Sequence, residues 1–196
     1  MVQSIYMNNK AVQGVLIISV VLNAVLFYEL TQRNVVLAPE DAAPEKTDSI
    51  SIEKKVYESG HTYPLMRIVD GDTIIVGFEN ATEYVRLIGI DAPEPNDPGG
   101  PECYATESTA HLQDLARTGL VVLTFDESQG MYDSYGRLLA YVEMPDGTDL
   151  GYQMLADGYA HEFTYRSAYE RQVSYMSAED EALASEKGLW SPTACK

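Results

Sequence analysis

Five charged side chains lie where short apolar stretches end, and their types could build a site for a metal ion. Asp72 follows a tight turn of sequence DGD, and Arg137 follows the stretch YDSYG. Arg86, Asp91 and Glu94 belong to RLIGIDAPEP, in which a branched apolar segment runs directly into a stiff acidic corner. Two carboxylates from different strands, together with a backbone carbonyl, form the kind of hard oxygen site that suits Ca²⁺.

A bend is required before Arg86 and Asp91 can share this site. They stand five positions apart, and an odd separation in an ideal strand places two side chains on opposite faces. Gly89 permits the strand to bend between them, and Pro93 restricts the chain just beyond. The sequence therefore predicts that the strand bends or ends near Gly89.

The remaining pattern supplies the elements that position these residues. Strands are expected on either side of the DGD turn within residues 63–78, and then in 83–90, 120–125 and 137–144, and helices in 104–118, 149–158 and 167–188. In the last helix, Val173, Met176 and Leu183 fall on one face. Three strands, a helix, two strands and two helices fit a small closed barrel with helices packed against it.

An uncharged apolar segment, AVQGVLIISVVLNAVLFY, occupies residues 11–28. As a helix it would be about 27 Å long, which is close to the hydrocarbon thickness of a bilayer. We therefore assign residues 1–30 to an N-terminal hydrophobic helix, either an uncleaved membrane anchor or a cleaved signal segment. A buried helix of a soluble protein is the remaining alternative. An anchor and a signal segment would both place the residues that follow outside the cytoplasm. The protein would then be either membrane-anchored with an extracellular domain or secreted.

Composition divides the rest of the chain into two parts. Residues 31–60 contain Pro, Glu, Asp, Lys and Ser with little periodicity, which is typical of a flexible polar linker. Residues 61–196 carry the predicted strands and helices and form the predicted folded domain.

Six segments of this domain together resemble a known family. VDGDT, VRLIGIDAPE, ECYATE, DSYGRLLAYV, LADGYAH and KGLW follow the order and approximate spacing of the staphylococcal nuclease (thermonuclease) family, over about residues 61–191. The resemblance implies an α+β fold, mainly β, in which a five-stranded OB-fold Greek-key barrel carries three packed helices. It also implies a Ca²⁺-dependent endonuclease that hydrolyses phosphodiester bonds of DNA, RNA or both.

The resemblance assigns the metal ligands residue by residue. Asp72 and Asp91 resemble the carboxylates that bind Ca²⁺ in the family. Ala92 would add its backbone carbonyl, so the loss of a side-chain hydroxyl often found at that position need not matter. Asp70 would lie behind these ligands.

The resemblance also assigns the residues that act on the substrate. Arg86 and Arg137 resemble two guanidinium groups that bind the phosphate, and the guanidinium fork matches two phosphate oxygens. Glu94 resembles the residue that positions or deprotonates the attacking water. Tyr135 is expected to contact a nucleotide phosphate or sugar. Tyr165 lies near the nucleotide-binding region of the family, but we favour core or surface packing for it.

The charge of the chain opposes this function. The formal net charge is −17, so the protein should repel nucleic acid at long range. Ser134 stands where relatives often carry a basic residue, and the segment GGPECYATESTAH lacks the lysines that often line the substrate loop. Either the acidity suits a high-salt habitat, where repulsion is screened, or the domain is a weakly active or inactive OB-fold module that binds metal, nucleic acid or a protein. We infer no specific protein partner.

The chain contains two cysteines, Cys103 and Cys195. In similar family members, a cysteine in the ECY position often accompanies one just after GLW, so the resemblance implies a Cys103–Cys195 disulfide. The alternative is two unpaired thiols, with Cys103 buried as a small apolar group. A bridge would hold a C-terminal tail, SPTACK, that has few other means of attachment.

Overall fold

The structure is a computed structural model that describes residues 56–195. The predicted N-terminal helix, and most of the predicted linker, lie outside the described residues. Within residues 56–195, no helix is both long enough and apolar enough to cross a membrane.

The centre of the fold is a closed five-stranded barrel. Its strands, in chain order, are β1 His61–Ile68, β2 Thr73–Phe78, β3 Ala81–Leu87, β5 Leu120–Thr124 and β6 Leu138–Glu143. Around the barrel they follow the order β1-β2-β3-β6-β5, in which β3 and β6 pair in parallel and the other pairs are antiparallel. The parallel pair places the start of β6 beside the end of β3. This arrangement decides the position of the candidate active site described below.

Three helices and a small second ladder surround the barrel. The helices are α1 Ala105–Leu115, α2 Leu150–Ala156 and α3 Gln172–Ala184, and the short strands β4 Ile90–Asp91 and β7 His161–Glu162 pair antiparallel. A 3₁₀ turn, Gly188–Trp190, follows α3. The predicted fold class, an α+β barrel of five strands with three helices, is confirmed.

The core fills the barrel and extends under the helices. Ile74, Val85 and Leu138 come from three adjacent strands and are completely buried, because alternate residues of each strand point inward. Tyr57 also packs in this core and is 7% exposed. The packed region therefore begins upstream of His61, inside the stretch that composition assigned to the linker.

The face predicted for the last helix is wrong. Val173 and Leu183 are exposed, Val173 to 83%, whereas Tyr175, Ala178 and Ala182 form the buried side of α3. The buried residues share the helical spacing of the predicted ones, but small alanines and a tyrosine with a hydroxyl give a weaker apolar signal. Tyr175 packs closely on α2, because a Cβ on Gly151 would lie 2.7 Å from the Tyr175 hydroxyl oxygen.

Buried polar groups fasten the segment before α3 to the barrel. Asp126 accepts hydrogen bonds from the Tyr141 hydroxyl and from the backbone N–H of Glu170, both at 2.7 Å, and also from Ser128. Burial alone would raise the pKa of Asp126, but these bonds outweigh it and hold that pKa below its ordinary value. Asp126 therefore attaches the chain at Glu170 to the barrel, and residues just before this point line part of the cleft described below.

The predicted disulfide is present. Cys103, just before α1, is bonded to Cys195 in the tail, and their Cα atoms are 5.8 Å apart. The bridge joins positions 92 residues apart. It attaches the C-terminal tail, as expected, and joins it to the acidic loop that leads from Glu94 to α1.

Removing this bridge should lower stability substantially. In a Cys103→Ala/Cys195→Ala double variant, the unfolded chain regains the entropy of a long open loop, so the free energy of unfolding should fall by about 4 kcal/mol. Urea unfolding of the wild-type and double-variant chains measures the difference. A loss below about 1 kcal/mol would show that the bridge restrains neither state appreciably.

Candidate active site

The site lies where three neighbouring strands bring their ends together. Thr73 at the start of β2 is directly paired with Arg86 near the end of β3. Arg86 in turn pairs with Leu139 of β6, one residue after the start of that strand. Asp72 and Arg137 each precede one of these strands, so the barrel itself collects the charged residues at one end.

Arg86 is the centre of this arrangement. Its Nη2 lies 3.1 Å from Asp72 Oδ2 and 2.8 Å from Asp91 Oδ1, so one nitrogen joins the two carboxylates. Its Nη1 donates to the backbone oxygens of Leu87, at 3.2 Å, and of Ile90, at 2.7 Å. The side chain is only 12% exposed, and its charge offsets part of the cost of burying the Asp72 carboxylate.

The bend predicted at Gly89 makes this contact possible. The predicted strand 83–90 is divided into β3 and β4, and Gly89 between them has φ +83°. That left-handed conformation is easily adopted only by glycine. It brings Arg86 and Asp91 to one side of the chain, although their spacing in a straight strand would have separated them.

Asp72 is held rigidly within the protein. Its side chain is 1% exposed, and it accepts hydrogen bonds from the Thr73 hydroxyl at 2.9 Å and from the Ala92 N–H at 2.8 Å. Asp70 accepts a bond from the Asp72 N–H at 3.1 Å, which closes the turn behind it. Burial raises the pKa of Asp72, while the charge of Arg86 acts in the opposite direction.

The turn that carries Asp72 packs unusually closely on its surroundings. A Cβ on Gly71 would lie 2.0 Å from the Ser108 Oγ and 2.6 Å from the Ala92 Cβ. Only glycine fits between α1 and the chain after β4. The turn, Ala92 and Ser108 therefore fix one another's positions, and Ala92 is drawn against the Asp72 carboxylate.

Glu94 and Asp91 lie in an environment that disfavours negative charge. Burial raises the pKa of Glu94, and repulsion from Asp70 and Asp72 raises it further. Burial also raises the pKa of Asp91, against the opposing effect of Arg86. The surplus of carboxylates over guanidinium groups in this cluster favours a bound cation.

A clasp next to Glu94 closes the acidic loop. The Glu94 N–H donates to the Glu102 carboxylate at 2.8 Å, and the Glu102 N–H donates to the Glu94 carbonyl at 2.9 Å. The disulfide begins at the next residue, Cys103. Glu94 is thereby held at the base of the loop instead of moving with its tip.

Arg137 reaches the same site from β6. Its Nε donates to Asp133 at 2.7 Å, and its Nη1 donates to the Thr73 hydroxyl at 3.2 Å. Asp133 also accepts from the N–H groups of Tyr135 and Arg137, and these contacts hold its pKa low despite burial. Thr73 thus joins both halves of the site, since its hydroxyl donates to Asp72 and accepts from Arg137. Neither Thr73 nor Asp133 was assigned a role from the sequence, although Thr73 follows Asp72 and Asp133 lies two residues before Tyr135.

A cleft of about 650 Å³ opens beside the two arginines. Its walls carry exposed aromatic rings: Tyr135 is 85% exposed, Tyr165 is 59% exposed, and Phe163 is also exposed. Tyr165 was expected to have a packing role, and no role was expected for Phe163 or Arg166 in the same wall. The guanidinium of Arg166 lies 5.0 Å from the centre of the Tyr165 ring.

Basic side chains are concentrated in this cleft. Residues 56–195 contain seven lysines and arginines, and three of them, Arg86, Arg137 and Arg166, line it. The cleft is therefore suited to an anion with flat apolar groups, even though the chain as a whole is strongly acidic.

Protein groups alone do not complete a metal centre here. In the part of the chain that the structure describes, no three His, Cys, Asp or Glu side chains are arranged to hold a metal ion. The two carboxylates Asp72 and Asp91 and the Ala92 carbonyl are oxygen donors of the type that Ca²⁺ prefers. Full coordination, which takes six to eight oxygens for Ca²⁺, would need water or substrate oxygens as well.

Comparisons with known proteins identify relatives of this chain. Residues 84–192 match the family described as staphylococcal nuclease homologue. The chain is similar to a thermonuclease of Staphylococcus hyicus, with 35% identity over 134 residues, 66% of this chain and 76% of that protein. A thermonuclease of Staphylococcus intermedius is 28% identical over 184 residues, 92% of this chain and 98% of that protein.

An SPbeta prophage-derived endonuclease, YokF, of Bacillus subtilis (strain 168) is 33% identical over 132 residues. That match covers 65% of this chain but only 43% of YokF, so the chain spans less than half of that relative. The family match covers more than half of the chain and includes both arginines and the acidic corner. The chain therefore belongs to the staphylococcal nuclease homologue family.

Proposed function

We propose that the protein is a Ca²⁺-dependent nuclease that hydrolyses phosphodiester bonds of DNA or RNA outside the cytoplasm. The proposal rests on one observation: Arg86 and Arg137 lie beside a cluster of carboxylates at one end of the barrel. The relatives named as thermonucleases and endonucleases support it.

The two arginines have different tasks in this proposal. Arg86 already donates to two carboxylates and two carbonyls, so much of its work is to hold the acidic site together. Arg137 is 26% exposed, about twice as much as Arg86, and it faces the cleft. We assign to Arg137 the larger part of the phosphate contact, because charge that develops on the phosphoryl oxygens is stabilised by donors fixed in advance.

Asp72, Asp91 and the Ala92 carbonyl would hold the Ca²⁺. The ion, when bound, supplies positive charge beside the phosphate and lowers the pKa of adjacent water. Glu94 would accept a proton from the attacking water, because a carboxylate with a raised pKa is a stronger base than an ordinary one. The clasp with Glu102 would keep Glu94 in place for this step.

The aromatic wall of the cleft would hold the nucleotide. Phe163 and Tyr165 offer flat surfaces for a base, and such stacking is independent of sequence. Tyr135 would contact the sugar or a phosphate. An unpaired base can reach these rings whereas a base stacked in a duplex cannot, so single-stranded nucleic acid is the expected substrate form.

The disulfide favours export. Structural disulfides persist mainly in oxidising compartments, and the Cys103–Cys195 bridge suits a domain that works outside the cytoplasm. We propose that the protein is secreted or is attached to the membrane through its N-terminal hydrophobic segment.

Replacing Arg137 by alanine should reduce kcat by on the order of 10²-fold, the scale for losing one fixed donor to a developing oxyanion. Arg117→Ala is the matched control, because Arg117 also pairs with an aspartate but lies in the turn after α1 and does not line the cleft. Cleavage of a single-stranded oligonucleotide with saturating Ca²⁺ measures both variants. Equal activity in the two variants would remove the phosphate-binding role of Arg137.

Replacing Glu94 by glutamine should separate turnover from metal binding. The amide cannot accept the water proton, so kcat should fall by about 10²-fold or more. Calcium affinity, measured by calorimetry on the same variant, should stay within a few-fold of wild type. A parallel loss of Ca²⁺ binding would instead identify Glu94 as a ligand.

Arg166 should contribute to substrate binding through its charge. In a Glu94→Gln background, where cleavage is slow, Arg166→Ala should weaken binding and reduce the slope of log Kd against log salt by about 0.7, the value for one phosphate contact on a single strand. Arg117→Ala in the same background should leave the slope unchanged. Identical slopes for both variants would mean that Arg166 contacts no phosphate.

A further inference from the structure

We propose that Tyr169 is a positioning residue, whose side chain holds the Gly89 bend and thereby the relation between Arg86 and Asp91. The inference rests on the proposed function for its effect on catalysis. Its structural part can be measured independently of any activity.

The Gly89 bend is the point on which the site depends most. Arg86 lies three residues before it and Asp91 two residues after it, and the guanidinium bonds that carboxylate at 2.8 Å. With φ at +83°, Gly89 has none of the steric restriction that keeps other residues out of this region. The conformation must therefore be imposed by contacts from outside the bend.

Tyr169 supplies such contacts from 80 residues further along the chain. A Cβ placed on Gly89 would lie 2.6 Å from both the Cε2 and the Cζ of the Tyr169 ring. The ring therefore occupies the space that any other residue at position 89 would need. It lies directly against the backbone of the bend.

The hydroxyl of Tyr169 adds a polar contact to this packing. It lies 3.2 Å from the Gly89 carbonyl oxygen and 2.9 Å from the Glu162 Oε1. The single hydroxyl hydrogen is shared between these acceptors. The Phe163 N–H also donates to the Gly89 oxygen, at 3.1 Å. The Tyr169 ring thus covers the bend. The Gly89 carbonyl accepts hydrogen bonds from two groups of the segment 163–169, the Phe163 N–H and the Tyr169 hydroxyl.

Tyr169 is itself firmly held. It is 5% exposed, and its ring packs edge-on against Tyr175 and near Tyr141, at centroid distances of 5.7 and 6.5 Å. The N–H of the next residue, Glu170, donates to Asp126. The ring therefore transmits the position of the barrel and α3 to the backbone between Arg86 and Asp91.

Residue-resolved amide exchange of the full chain tests the structural part. Tyr169→Leu should speed exchange of the Phe163 and Ala92 amides, which bond to Gly89 and to Asp72, relative to amides in β2 and β3. Tyr57→Leu is the matched control, because it removes another buried core tyrosine that is 7% exposed and packs against Phe78. That control should speed exchange without selecting these two amides.

A uniform increase in exchange for Tyr169→Leu, like that of the control, would overturn the proposal, because Tyr169 would then only contribute to global stability. The selective pattern supports it even if the wild-type chain cleaves no nucleic acid. Failure of the proposed function is thus distinguishable from failure of this inference.

Activity provides the second readout. Tyr169→Leu should lower kcat by about 10- to 100-fold while KM changes little, because displacement of a reacting group by about 1 Å can cost that much. Tyr169→Phe keeps the ring and should lose far less, as should Tyr57→Leu. Equal losses of kcat in Tyr169→Leu and Tyr57→Leu, measured well below their unfolding temperatures, would contradict the positioning role.

A double variant tests the direct contact. Gly89→Ala introduces a methyl group into the space of the Tyr169 ring as well as an unfavourable φ, and Tyr169→Leu relieves only the first. The combined loss of kcat should therefore be smaller than the product of the two single losses. Independent, multiplicative losses would mean that the ring does not restrain the bend.

Discussion

One guanidinium group, that of Arg86, holds the acidic end of the barrel together. It bonds a buried carboxylate and a half-exposed one through a single nitrogen, and two backbone carbonyls through another. An unpaired Asp72 would be costly at this depth, by about 3–5 kcal/mol for a buried pair that loses one member. The strand order, the Gly71 and Gly89 backbones and the ring of Tyr169 all serve to keep this contact in register, so the same interaction determines both local stability and the geometry of the site.

The contrast between global and local charge follows from this arrangement. The chain is strongly acidic, yet three of the seven basic residues in the described part line one cleft. Long-range repulsion of a polyanion is screened within about 8 Å at physiological salt, whereas the fixed donors of a partly buried site are screened much less. A nuclease of this kind would rely on a few well-placed arginines and on stacking in place of a generally basic surface.

The order of strands and helices predicted the barrel, and local spacing and turn residues predicted the strand-end carboxylates and the Gly89 bend. The disulfide, which joins positions 92 residues apart, was expected from the family resemblance. The sequence did not predict the buried face of α3, which is formed by two alanines and by Tyr175, whose ring packs closely on Gly151. Phe163 and Arg166 come after β7, a strand of only two residues. So short a strand has no periodic pattern from which the positions of the following side chains could be predicted. Tyr169 packs on the backbone of Gly89, 80 residues away in the chain. Such a long-range contact leaves no pattern in a single sequence from which it could be predicted. The roles proposed for Arg86, Glu94, Arg137 and the metal ligands remain predictions.

The most direct test of the account is the rate at which the wild-type chain cleaves a single-stranded oligonucleotide with Ca²⁺, with Mg²⁺ and with a chelator, across a range of salt concentrations. We expect cleavage with Ca²⁺, none with the chelator, and little with Mg²⁺, which demands a tight octahedral shell and releases water reluctantly. Cleavage that persists in the chelator, or equal rates with the two ions, would contradict the proposed Ca²⁺ site. Binding without cleavage under every condition would instead identify a non-catalytic OB-fold module.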